Sequence, residues 1–233
     1  MKKHILIVDD EAKLRRVIRE YLVQEGYSVS EAENGEQALY AARNQAPDLI
    51  ILDIMMPVMN GLDFLRIYRK ESETPIIFLT AKIEEHDEVL GLEIGADDFV
   101  RKPFSMKALM ARVRAILRRQ EQPLDGSAEL ELGQLRLSSA ARLAYVGPTK
   151  LSLTPTEFGI LHTLMATPGR AFSRSELLEA STGQAFEAYE RSVDVHVRNL
   201  RKKIKQAGLS NDPIETVFGI GYRLNLEIAS EAQ

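Results

Sequence analysis

The chain has 233 residues, enough for one large domain or two small ones. Hydrophobic residues make up 45% and charged residues 27%, as in ordinary water-soluble globular proteins, and no apolar run approaches the roughly 18 residues that span a bilayer. The start, Met1-Lys2-Lys3-His4, leads to a few apolar residues and then two aspartates, which argues against a signal peptide. There is no cysteine, which excludes disulfides, thiolate–zinc sites and thiol catalysis and fits a cytoplasmic location.

The net charge of −4 argues against nucleic acid until its distribution is considered. Between 191 and 205 stand six cations (Arg191, Arg198, Arg201, Lys202, Lys203 and Lys205) against one acid, Asp194. The rest of the chain carries 24 bases and 33 acids.

In chain order, His4–Val8 is an apolar run ending in Asp9-Asp10. Leu14, Val17, Ile18, Tyr21 and Leu22 then recur at the spacing of one helical face. Apolar runs follow at Ser28–Ala32, Leu49–Leu52, Ile76–Leu79 and Phe99–Val100, with helical stretches near 36–45, 61–70, 84–94 and 105–118. Five strands alternating with five helices predict a doubly wound α/β fold, a parallel sheet covered on both faces. The polar stretch 119–127, with Pro123 and Gly126, reads as a linker. The expected domains are therefore 1–119 and 128–228, with 120–127 between them.

The second half opens with strand candidates at Leu130–Leu132, Leu135–Leu137, Leu143–Val146 and Lys150–Leu153. Thr154-Pro155-Thr156-Glu157 is a capping box with proline at the first helical position, and Ser173-Arg174-Ser175-Glu176 is a second box. These predict a helix to about Ala166 and a shorter one through Leu178. A third helix spans about 188–206, and a hairpin follows, Ile214–Val217 and Tyr222–Leu226 around Gly219 and Gly221. Three helices flanked by β-structure, with the basic helix third, give a small α+β winged helix-turn-helix order.

Chemistry concentrates at the strand ends, where a parallel α/β sheet binds ligands. The first strand ends in Asp9-Asp10, the third in Asp53 and the fourth in Thr80-Ala81, and Lys102-Pro103 lies just past the fifth. Three converging carboxylates repel one another and call for a divalent cation, for which Mg²⁺ suits oxygen ligands. A carboxylate beside a cation is a competent nucleophile toward a phosphoryl group, with the Thr80 hydroxyl and Lys102 ammonium placed to neutralise the transferring oxygens.

Four motifs, Ile-Leu-Ile-Val-Asp9-Asp10-Glu11, Leu-Asp53-Ile-Met-Met-Pro57-Val-Met-Asn-Gly61, Leu-Thr80-Ala81-Lys82 and Gly95-Ala-Asp-Asp-Phe-Val-Arg-Lys102-Pro103-Phe104, closely resemble bacterial response-regulator receiver domains of the flavodoxin/CheY-like fold. The resemblance covers 3 to about 119 and implies that Asp53 accepts a phosphoryl group from a sensor histidine kinase. It implies that Asp10, Asp53 and the Met55 carbonyl hold Mg²⁺, with Asp9 acting through water. It makes Thr80 and Phe99 the switch pair and Lys102 the phosphoryl-binding cation, with a cis peptide before Pro103. Two positions that tune dephosphorylation in the family are here Met55 and Lys82. Because the Met55 side chain cannot orient water, a long-lived phosphoprotein is expected.

On the basic helix, at 100° per residue, Val193, Val197, Leu200 and Ile204 form the buried stripe. Arg191, Val195, Arg198 and Lys202 fall opposite, bordered by Asn199 and Lys205, with Arg201 and Lys203 on the flanks. Cations, an amide and a small apolar group suit phosphate contact, base-edge bonding and a thymine methyl. Thr154-Pro-Thr-Glu-Phe158, Arg191-Ser-Val-Asp-Val-His-Val-Arg-Asn-Leu-Arg-Lys-Lys203 and Val217-Phe-Gly-Ile-Gly-Tyr222-Arg223 resemble the effector domain of the OmpR/PhoB subfamily. The resemblance covers about 128–226. It implies a recognition helix at about 189–206 in the major groove of double-stranded DNA, a wing near 218–222, and a loop around 181–188 that meets RNA polymerase. Many members carry arginine where this chain has Asn199 and Phe218, so adenine preference and an apolar wing are expected here.

The resemblance also implies a homodimer formed on phosphorylation, through the predicted helix 84–94, the fifth strand and the helix 105–118. Asp98 with Arg112, and Glu93 with Arg114, match two of its usual ion pairs; a third is missing because Glu88 and Ala108 occupy its positions. The leading expectation is a phosphorylation-controlled transcription regulator that binds tandem half-sites and is no enzyme beyond its own phosphoryl transfer and slow dephosphorylation. An Mg²⁺-dependent hydrolase is the competitor, but its usual signature has an acid where Met55 stands. A phosphorylation-independent DNA binder is the third reading, against which the set Asp9, Asp10, Asp53, Thr80 and Lys102 argues.

Overall fold

The computed structural model describes residues 2–80, 95–121, 129–182 and 190–225. The chain divides into two compact units, Met1–Leu117 and Arg118–Gln233. The predicted helix 84–94, with Glu88 and Glu93, lies outside the described residues, as do Ala81, Lys82 and most of the loop 181–188.

The first unit runs β1 (His4–Val8), α1 (Ala12–Gln24), β2 (Ser28–Ala32), α2 (Gly35–Gln45), β3 (Leu49–Asp53), α3 (Gly61–Tyr68), β4 (Ile76–Thr80), β5 (Asp98–Arg101) and α4 (Met106–Glu121). The five strands form one parallel sheet in the order β2-β1-β3-β4-β5. The order reverses beside β1, which opens a crevice between the carboxyl ends of β1 and β3. Strands β3 and β4 are buried along their whole length, which is why they read as unbroken apolar runs rather than alternating ones. Ile5, Ile7, Leu49, Ile51, Ile77 and Leu79 pack with Ile18 and Leu22 of α1 and Leu109, Met110 and Val113 of α4 on one face. The alternate residues, Leu6, Ile50, Leu52 and Phe78, are equally buried and point to the other.

Turn chemistry fixes the helix starts. Asn34 and Asn60 cap α2 and α3 by accepting from the Gln37 and Asp63 amides. Gly61 is required by a close approach: a Cβ there would lie 2.2 Å from the Asp53 carbonyl oxygen. The helix α1 corrects the sequence reading at one position. Tyr21 is 43% exposed, and the buried stripe is Arg15, Ile18 and Leu22.

The second unit begins with a four-stranded antiparallel sheet, β6 (Glu129–Leu132), β7 (Leu135–Ser138), β8 (Leu143–Val146) and β9 (Thr149–Leu151). Then come α5 (Pro155–Ala166), β10 (Phe172–Ser173), α6 (Arg174–Thr182), α7 (Glu190–Gln206), β11 (Ile214–Val217) and β12 (Gly221–Leu224). Both predicted capping boxes form. Thr154 and Glu157 exchange side-chain and backbone bonds at α5. At α6 the Ser173 amide donates to Glu176 at 2.7 Å and the Glu176 amide to Ser173 Oγ at 3.1 Å. The hairpin has a third strand that sequence reading missed: β10 pairs with β12, giving the order β10-β12-β11. A two-residue strand carries no periodicity to read. Gly221 admits it, since a Cβ there would lie 2.2 Å from the Phe172 carbonyl oxygen. Leu161, Leu164, Leu177, Val193, Val197, Leu200, Ile204 and Tyr222 form the core, which takes in β7, β8 and β12.

Candidate functional site

The strand ends gather the expected groups in one crevice. Asp9, Asp53 and Thr80 are buried, while Asp10 is exposed. One carboxylate oxygen from each of Asp9, Asp10 and Asp53 lies within 4.8 Å of the others. Lys102 Nζ donates to Asp9 Oδ2 at 2.7 Å and to Asp53 Oδ2 at 3.1 Å. The other oxygens are held by backbone: the Glu11 amide donates to Asp9 Oδ1 at 2.9 Å and the Ile54 amide to Asp53 Oδ1 at 2.8 Å. The Lys102 amide in turn donates to the Thr80 carbonyl at 2.6 Å, and the Lys102–Pro103 peptide is cis, as expected.

Burial pushes the Asp53 carboxyl above its ordinary value; the Lys102 charge opposes this and the Asp9 charge adds to it. Burial pulls the Lys102 ammonium down, but bonds and charges from Asp9 and Asp53 outweigh it and hold the lysine above its usual value. One cation against three carboxylates leaves a net charge near −2, which a divalent metal offsets. The donor set is all oxygen, as a hard cation such as Mg²⁺ requires, so the residues fit the metal that receiver domains bind.

One member of this environment escaped sequence reading. Arg15, buried in α1, donates from Nη1 to the Asp9 carbonyl at 2.6 Å and from Nη2 to Glu33 at 3.1 Å. Its signal was present: a cation three residues before Ile18 and seven before Leu22 lies on the apolar stripe.

Phe99 is buried and packs on Phe78, ring centroids 5.3 Å apart. Asp98 and Arg112 bind each other within one chain, Nη1 lying 2.8 and 2.6 Å from the two carboxylate oxygens. Arg114, expected to pair with Glu93, donates to Glu25.

On α7 the buried stripe is as read: Val193, Val197, Leu200 and Ile204 are inside. Arg198, Lys202 and Lys205 are exposed and Asn199 is half-buried. The side chain of Arg191 lies outside the described residues. Two positions differ from the expected ridge. Val195 is 7% exposed, not on an open face. The first turns of α7 are flanked on more than one side: Asp194 accepts from Arg174 Nε of α6 and from the Tyr222 hydroxyl of β12, each at 2.7 Å. A single-stripe calculation assumes one covered face. Arg201 is half-buried and bonded to the hairpin: Nη2 donates to the Ile214 carbonyl at 2.7 Å and to Thr216 Oγ1 at 3.0 Å. Phe218 at the hairpin tip is 94% exposed.

A doubly wound sheet with this acidic crevice, joined to a winged helix, defines a receiver linked to a DNA-binding effector. Comparison with known proteins agrees. Residues 5–114 match the family described as response regulator receiver domain, and 148–224 match transcriptional regulatory protein, C terminal. The chain is 43% identical over 224 residues to the DNA-binding response regulator MtrA of Mycolicibacterium smegmatis, covering 96% of this chain and 97% of the relative. It is 40% identical over 228 residues to the phosphate regulon transcriptional regulatory protein PhoB of Klebsiella pneumoniae, covering 97% and 99%. Among solved structures, a mutant of RitR superposes with a TM-score of 0.76 at 28% identity, covering 96% of this chain and 99% of that one. The chain belongs to the OmpR/PhoB family of DNA-binding response regulators, and is a two-component transcriptional regulator.

Proposed function

We propose that a sensor histidine kinase phosphorylates Asp53 and that the modification drives receiver dimerisation and binding to tandem promoter half-sites. The observation that carries this is the bridge of Lys102 between Asp9 and Asp53, beside Asp10, at the strand ends. An Asp53 carboxylate oxygen attacks phosphorus; the bond to the donor nitrogen, or to the oxygen of an acyl phosphate, breaks, and its electron pair leaves with the donor. Asp10, Asp53 and the Met55 carbonyl would hold Mg²⁺, with Asp9 through water; the metal supplies neutralising charge on the phosphoryl oxygens. Lys102 exchanges its bond to Asp53 for one to the phosphoryl group, and the Thr80 hydroxyl donates to another oxygen. Thr80 and Phe99, both buried, act as the switch pair. Intact mass after incubation with Mg²⁺ and a small-molecule acyl phosphate tests the reading: one added phosphoryl group, lost with chelator, is expected, and its absence with the kinase present would sink it.

The Met55 side chain is 70% exposed and has no group that positions an attacking water. The phosphoprotein is therefore expected to survive for minutes or longer without a phosphatase; decay within seconds would contradict this. The chain's own catalysis is confined to taking up and slowly losing that group.

Dimerisation would use Asp98, Arg112, Arg114 and Glu93. Asp98–Arg112 and Arg114–Glu25 are already satisfied within one chain, so the dimer exchanges ion pairs rather than adding them, and a modest association constant follows. The domains are taken as 1–119 and 128–228, the cell compartment as the cytoplasm, and the loop 181–188 as the RNA polymerase contact. Among the described residues no helix is long and apolar enough to cross a membrane.

In the DNA complex, Arg191, Arg198 and Lys202 contact phosphates, Asn199 reads a base edge, and Val195 and Arg201 support the interface from behind. Phe218 and Ile220, 94% and 52% exposed, form an apolar wing tip placed for contact with sugars. Phe218→Ala is expected to weaken binding to an operator several-fold, by the same factor at every salt concentration. Unchanged affinity across the salt series would remove Phe218 from the interface.

A further inference from the structure

We propose that Arg201 and Lys203, two of the six cations of the basic helix, set the roll of α7 about its own axis. The phosphate-facing charge among the described side chains then belongs to Arg198, Lys202 and Lys205. The inference rests on the DNA-binding reading and deepens it.

The apolar stripe of Val193, Val197, Leu200 and Ile204 decides which face of α7 turns inward. Apolar contact is less directional than a hydrogen bond, so it sets the inward face more firmly than the exact angle. Directional bonds on the flanks are needed to fix the angle. At about 100° per residue, Arg201 and Lys203 stand about 80° to either side of the stripe centre. Each is bound to a different neighbour.

Arg201 reaches the hairpin. Its Nη2 donates to the Ile214 carbonyl at 2.7 Å and to Thr216 Oγ1 at 3.0 Å, and its Nε lies 2.7 Å from Asp212 Oδ2. Its planar fork makes these bonds sensitive to angle. Asp194, about 100° from the stripe centre on the same flank, adds a tie through Arg174 and Tyr222. Lys203 reaches the opposite way. Its Nζ donates at 2.7 Å to Glu157 Oε2, a carboxylate that is fully buried and also accepts from the Thr154 amide at 2.9 Å. The capping box that starts α5 thus also holds the basic helix. Rolling α7 either way stretches one tie, and withdrawing Lys203 strips a cation from a buried carboxylate. Arg198, Lys202 and Lys205, at about 120–180° from the stripe, are exposed on the outer side.

The test is the salt dependence of binding of the full chain to a fluorescent mixed-sequence duplex. Each phosphate contact contributes about 0.9 to the slope of log affinity against log salt. Lys202→Met and Lys205→Met are each expected to flatten the slope by about that amount. Lys203→Met is expected to keep the wild-type slope while lowering affinity by one factor throughout, because it reduces only the fraction of helices at the competent angle. Glu157→Gln separates the accounts by sign: it frees Lys203 and removes a negative charge. Tighter or unchanged binding would mean that Lys203 serves the phosphates; weaker binding supports the positioning role.

Lysine methylation of the wild-type chain answers even where a variant fails to fold. Lys202 and Lys205 should be reactive alone and protected by the duplex, with Lys203 slow in both states. A fast Lys203 that DNA protects, or a slope loss of about 0.9 in Lys203→Met, overturns the assignment. A wild-type chain that ignores the duplex at low salt overturns the DNA-binding reading instead.

Discussion

Asp53→Asn is expected to take up no phosphoryl group from a kinase or an acyl phosphate. An amide is not a nucleophile toward phosphorus under these conditions, and the substitution leaves two carboxylates where three lie within 4.8 Å. The fold should survive, because the amide oxygen can still accept from the Ile54 amide and Lys102 keeps its bond to Asp9. Two readouts follow. Intact mass should show no adduct, and the melting-point rise that Mg²⁺ gives the wild type should shrink or vanish, since binding to the native state alone is what stabilises it. An adduct on Asp53→Asn would move the acceptor to Asp9 or Asp10.

The second large effect lies in the other unit. His196 is fully buried on α7, and among the described residues neither ring nitrogen has a hydrogen-bond partner. Burial, with a smaller contribution from the Lys203 charge, pulls its pKa down to about 4. A histidine whose folded pKa lies below the unfolded value binds fewer protons when folded. Above about pH 6.5 the ring is neutral in both states and adds no pH dependence, and stability is lost as pH falls from there to about 4, by about 3 kcal/mol in all. His196→Leu removes the titrating group and both unpartnered nitrogens at similar volume. The stability difference between His196→Leu and wild type, followed by denaturant unfolding of the second unit, should widen by about that amount between pH 7 and pH 4. A difference that stays flat would show that the ring is hydrated or bonded in solution.

The acidic site was legible because Asp9, Asp53 and Thr80 each sit at the end of an apolar run. A buried parallel strand writes itself as such a run, and the residue that follows must face the crevice. Asp9, Asp53 and Thr80 could thus be placed without knowing which strands were neighbours. Arg69 could not. It donates to the carbonyls of Gly95, Ser72 and Thr74 and to Asp97 Oδ2, joining the end of α3 to the starts of β4 and β5. Nothing local shows that Arg69 will also meet Gly95 and Asp97, more than twenty-five residues on. The same limit applies to the basic helix. Helical geometry placed Arg201 and Lys203 on the flanks, but only the fold supplies Ile214 and Glu157 as partners. Val195 failed for a related reason, because α6 and β12 close on the first turns of α7 through Asp194.

The central claim is that the phosphoryl state of Asp53 governs DNA binding. The most direct test takes a duplex selected from random sequence by the phosphorylated chain and measures its affinity for fully phosphorylated and unphosphorylated protein at one salt concentration. The account predicts at least about tenfold tighter binding by the phosphorylated chain, with two protomers on half-sites about one helical turn apart. Equal affinity and one protomer per duplex in both states would contradict it.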